Sequence, residues 1–172
     1  MGSADYLYAL CDTVLDASYD ALSDLRTGFA PPSRVFVSHG PAEAQGCKEG
    51  GQLTVHLEPI EMRQSRAQAG SQMPGSGPTV PVATLTIRLF RCYQPLNPDG
   101  SVLTAIQEDE AAKAMMIDGW CLATGLWASM ATGALASCSG VQLGRVTPLR
   151  SAGSYQGWSL ALTVQLSDGG PE

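Results

Sequence analysis

Three features of the sequence predict an α+β fold: two long helical stretches, strand runs alternating in two-residue rhythm, and a closing pair of such runs joined by a short turn. In chain order these read helix, three strands, helix, two strands, so the helices cover one face of a mainly antiparallel sheet of about five strands. At 172 residues the chain fits a single domain, residues 1–172, able to bury a sizeable core without staples.

The first helix is expected from Ser3, a suitable N-cap, to about Thr27, with Gly28 as its stop and Pro31-Pro32 beyond. At about 100° per residue, Leu7, Leu10, Cys11, Val14, Ala21, Leu22 and Leu25 share one face, and Asp5, Asp12, Asp16, Asp20 and Asp24 gather opposite. Arg34 to Ser38 is a short β-rich run. Gln52 to Glu58 alternates Leu53, Val55 and Leu57 with Thr54, His56 and Glu58, and Val82 to Tyr93 alternates Leu85, Ile87 and Leu89 with Thr84, Thr86 and Arg88. Between these two lies Met62 to Pro81, rich in Gly, Ser, Gln and Pro, which reads as a mobile hairpin loop, residues 62–81.

A turn at Asn97-Pro98-Asp99-Gly100 leads to the second helix, where Thr104 and Gln107 have capping-box spacing and Glu108, Asp109 and Glu110 suit the positive end of the dipole. Its apolar face is read as Ala112, Met115, Met116, Trp120, Ala123, Leu126, Trp127 and Met130, which makes Trp120 and Trp127 a core stripe. Gly119 and Gly125 each cost about 1 kcal/mol inside a helix, so close packing or a local break must compensate. Val141 to Leu149, a turn at Ser151-Ala152-Gly153-Ser154, and the alternating run from Trp158 to Leu166 form the final hairpin.

Few kinds of chemistry fit these residues. Cys11, Cys47, Cys92, Cys121 and Cys138 form no C-x-x-C pair and are odd in number, so free thiols in a reducing compartment are expected. His39, Cys47 and His56 match no zinc frame and lack a fourth ligand, and His56 reads as solvent-facing on its strand. Cys11, Cys92 and Cys121 fall within regular elements, where a small buried hydrophobe is the ordinary role. No G-x-S-x-G, P-loop or G-x-G-x-x-G occurs, so neither an enzyme nor a cofactor is expected. The N-terminus lacks the basic and apolar regions of a signal peptide, and Tyr6 stands where a myristoylation motif wants Ser or Thr. Gly119 to Gly144 carries no charge, yet its Gly, Ser and Thr content and missing basic flank argue against a membrane span.

Charge placement says more. Five aspartates precede the first basic residue, Arg26, whereas Met62 to Pro98 holds Arg63, Arg66, Arg88 and Arg91 with no acid. Such segregation suits a head-to-tail oligomer, and Arg63, Arg66, Asp12, Asp16, Asp20 and Asp24 are the candidate assembly interface. A net charge of −6 without a basic patch disfavours nucleic-acid binding, although an acidic lumen would let DNA pass.

The element order, with Gly51-Gln52-Leu53-Thr54-Val55-His56-Leu57, Val82 to Cys92 ending in Leu89-Phe90-Arg91-Cys92, Asp118-Gly119-Trp120, and Gly157-Trp158-Ser159-Leu160-Ala161-Leu162-Thr163-Val164, resembles the tail terminator proteins of long-tailed bacteriophages, especially those of actinobacteria. The resemblance covers nearly the whole chain. It implies a non-catalytic virion protein, assembled in the host cytoplasm as a homo-oligomeric and hexameric ring. Such a ring caps the finished tail tube, stops its polymerisation, and meets the major tail tube protein on one side and the head-completion or stopper protein on the other, with DNA passing the lumen. Another neck component, such as an adaptor, or a small cellular binding module are the alternative readings.

Overall fold

A computed structural model describes residues 3–24, 30–44, 50–64, 79–92, 96, 98–133, 139–152 and 155–166. Helix α1 is Ser3–Asp24 and α2 is Ala105–Ala131; the strands are β1 Arg34–Ser38, β2 Gln52–Leu57, β3 Glu61–Gln64, β4 Thr79–Cys92, β5 Ser139–Ala152 and β6 Tyr155–Gln165. The sheet runs β1-β2-β4-β6-β5, with β3 also paired to β4, and every pairing is antiparallel except β1 with β2. The α+β class with a mostly antiparallel sheet is therefore as the alternation predicts.

That alternation sets the core. Leu53 and Val55, Leu85, Ile87 and Leu89, and Leu160, Leu162 and Val164 point to one face and are buried there. Leu10, Val14 and Leu22 of α1 and Leu122 and Leu126 of α2 close over them. Each such side chain contributes about 1.5–3 kcal/mol by leaving water, so this layer dominates stability. The helices also pack on each other, α1 lying over β1 and β2 and α2 over β5 and β6.

Three expectations need correction, and one falls outside the described residues. Helix α1 is described only as far as Asp24; Leu25 and the expected stop at Gly28 lie outside the described residues. The excursion expected over Met62 to Pro81 is partly sheet, because Met62 pairs with Pro81 and Arg63 with Val80. Pro59 interrupts the alternating run, having no N–H for a ladder, and the chain resumes pairing two residues later as β3. Residues 65–78 lie outside the described residues. Finally, His56 is fully buried rather than solvent-facing, and Cys92 is disulfide-bonded, with a partner outside the described residues. Cys11 and Cys121 are free and buried.

The burial of His56 follows from the parallel β1–β2 pair. Parallel neighbours need a connection of about a dozen residues, and here its described part places Ala42 and Glu43 over the sheet face opposite the helices. There Gln52 Nε2 donates to the Glu43 carbonyl at 3.1 Å and Arg88 donates to that of Ala42 at 3.4 Å. Beneath lies a polar row. The Glu58 carboxylate bonds His56 Nε2 at 2.9 Å and accepts the Thr86 hydroxyl at 3.3 Å. Gln52 Oε1, Thr54 Oγ1, His56 Nδ1 and Arg88 Nε have no partner among the described residues.

An orphaned buried hydroxyl costs about 1–3 kcal/mol, and valine has nearly the shape of threonine. Thr54→Val is therefore expected to stabilise the fold by about 1 kcal/mol, read as a higher urea midpoint at unchanged slope. A lower midpoint would show that the hydroxyl is held by ordered water.

Candidate functional site

The feature that the core does not absorb is the outer side of α2. The helix starts where its capping box dictates: Gln107 N donates to Thr104 Oγ1 at 3.3 Å, and Thr104 N donates to Gln107 Oε1 at 2.9 Å. Its rotation is then fixed by three ties to the sheet. Arg91 of β4 grips Asp118 with both arms of its guanidinium, at 2.9 and 3.2 Å, and the pair is buried. The Trp158 indole N–H donates to the Met115 carbonyl at 2.6 Å. Gly119 rests on the face of that indole, where an added Cβ would come within 2.7 Å of Trp158 Cε2.

The side of α2 turned to the protein is consequently one of small residues: Ala114, Gly119, Cys121 and Gly125, with Asp118, Leu122 and Leu126. The glycines are tolerated for close approach. The expected apolar face is overturned with the same stroke, since Trp120 follows Gly119 by 100° and points away. Trp120 is 72% exposed and Trp127 65%, and Met116 and Ile117 are exposed beside them, while Ile106 is exposed at the start of the helix, beyond the Asp109–Lys113 ion pair. Of the eight residues read as that face only Leu126 is buried outright. A spacing of seven residues correctly put both tryptophans on one stripe, but on the wrong side. Single exposed hydrophobes are ordinary, whereas two indoles on one side of a helix, with Met116 and Ile117, make a larger apolar patch, the kind of surface that interaction sites use.

A second surface lies at the start of α1. Here Ala4, Leu7, Tyr8 and Cys11 of the helix face Val37, Ser38 and His39 at the end of β1 and Leu57 of β2 around an open, largely apolar cavity of about 320 Å³. Tyr8 stands exposed at its edge. The floor is formed partly by Cys11, whose thiol is pushed up by burial and, less, by the neighbouring Asp12 carboxylate. A thiol held protonated in this way is a poor nucleophile.

The candidate interface residues are placed as follows. Asp12, Asp16, Asp20 and Asp24 line the exposed side of α1, as their spacing predicts. Arg63 is exposed on β3 and bonds its near neighbour Glu61 at 2.8 and 3.0 Å. Arg66 lies outside the described residues. Of the other arginines in the acid-free segment, Arg91 is consumed by Asp118 and by the carbonyls of Ala30 and Gly50, and Arg88 turns into the polar row. The segment is thus less free to seek outside partners than its composition suggests. The α2 stripe and the α1–β1 cavity were missed, the first by an error of helix phase and the second because it is assembled from three elements.

No helix among the described residues is long and apolar enough to cross a membrane. No protein-family model matches the sequence. No curated protein matches it either.

Proposed function

We propose that the chain is a structural, non-catalytic subunit of a phage tail: a terminator that assembles in the host cytoplasm into a hexameric ring, caps the tail tube and offers its other side to the head-completion protein. The observation that carries the assembly reading is the exposed stripe of Met116, Trp120 and Trp127 on α2, together with the cavity on the unlike surface at α1. Unlike surfaces on one chain generate heterologous contacts, which close into rings when the rotation allows. The tail identity rests on the resemblance in element order and in the quoted runs.

Several of those runs have a common structural meaning that fits a scaffold better than a reaction site. Arg91, Asp118, Gly119 and Trp158 all serve to seat α2 on the sheet, and Gly51 and Gly157 let the chain pass close to β4. What they present outward is a rigid helix carrying two indoles.

Mass measurement of the native particle at low and high concentration tests this reading. A six-subunit species that grows with concentration is expected. Twelve subunits would favour an adaptor instead, and a monomer at every concentration would overturn the ring.

A further inference from the structure

Building on the ring reading, we infer that the partner of the α2 tryptophan stripe is the α1–β1 cavity of the next copy of this chain. The complementarity is one of shape, area and hydrogen bonding. The stripe is convex and the cavity concave, and at about 320 Å³ the cavity has room for a bulky side chain. Aromatic side chains bury about 150–250 Å² each, so the exposed portions of Trp120 and Trp127 supply roughly 200–350 Å². A standard interface takes about 800 Å² from each partner. The tryptophans thus form the anchor, and Met116 and Ile117 extend it toward that size.

The indole N–H is a donor only, and a buried one needs an acceptor. The lining includes the His39 imidazole and the Ser38 hydroxyl, which donates to the Gly40 carbonyl at 2.7 Å and whose oxygen can still accept. The Tyr8 ring at the edge offers an aromatic face for the second indole. A stripe meeting another stripe would bring two sets of donors together without these acceptors. It would also be isologous and stop at a dimer.

Two variants with surface substitutions separate the alternatives. Trp120→Ala with Trp127→Ala removes the stripe and keeps the cavity. Ala4→Glu with Tyr8→Glu places carboxylates at the mouth of the cavity and keeps the stripe; both positions are exposed in the first turns of α1. Circular dichroism verifies that each variant folds, and sedimentation velocity reads its assembly. The expected result is an oligomeric wild type, two monomeric variants and, on mixing them, a species of two subunits that grows no further, because one intact junction remains per pair.

If the cavity variant assembles as the wild type does, the stripe docks elsewhere; the inference fails and the ring stands. If the wild type itself is monomeric at every concentration, the ring reading fails and takes the inference with it. Assembly by the tryptophan-less variant alone would likewise exclude the stripe as the junction.

Discussion

Asp118→Ala is expected to destabilise the fold by about 3–5 kcal/mol, the cost of leaving a buried charge without its partner. Arg91 and Asp118 are both almost wholly buried, so no solvent can take over the guanidinium when the carboxylate is gone. The loss should appear in urea unfolding as a lower midpoint. Arg91→Met with Asp118→Leu should regain much of it, since two apolar groups of similar size carry no desolvation penalty. Recovery should stop short of wild type, because Arg91 also donates to the carbonyls of Ala30 and Gly50, which lose their donor. A shift below about 1 kcal/mol for Asp118→Ala would mean that the pair does not hold α2 in place.

Gly51→Ala is the second large effect. Gly51 has φ +81°, in the left-handed region, and a Cβ there would overlap the backbone carbonyl oxygen of Phe90. The conformation costs an alanine about 1–2 kcal/mol and overpacking about 1–3 more. Backbone has no rotamer to retreat into. Thermal unfolding should therefore begin on the order of 10 °C lower, given about 2–4 °C per kcal/mol in a domain of this size. An unchanged transition would show that β2 can shift away from β4 without loss.

How far these features were legible differs element by element. The capping box at Thr104 and Gln107 was readable because both partners lie within one turn of chain. The buried row of β4 was readable because Leu85, Ile87 and Leu89 alternate without exception. His56 was misplaced because alternation says which residues share a face, not what later covers it. The cover comes from the β1–β2 connection, through Ala42 and Glu43.

The phase of α2 failed for a different reason. Ranking by hydrophobicity puts tryptophan inside, yet Ala114, Asp118, Cys121, Gly125 and their neighbours Leu122 and Leu126 also form an unbroken helical stripe. Small residues allow close approach, and a mid-helix aspartate among them is a sign of a buried partner. That partner, Arg91, is 27 positions away in sequence, beyond the reach of any local pattern. The cavity between α1 and β1 was equally hidden.

The strand order has a consequence in time. β6 is the last of the described strands, but it lies between β4 and β5, and it pairs with β4 from Val82 through Cys92. Until residue 165 has been synthesised, the long inner ladder of the sheet has no second side, and β4 presents an open hydrogen-bonding edge above its apolar face. At about 5–20 residues per second, the stretch from the end of β4 to the end of β6 keeps that edge waiting for several seconds. Helix α2 emerges during this interval with its indoles already exposed. Completion of the sheet is thus a late event on the ribosome, and the exposed tryptophan stripe exists before the sheet beneath it is finished.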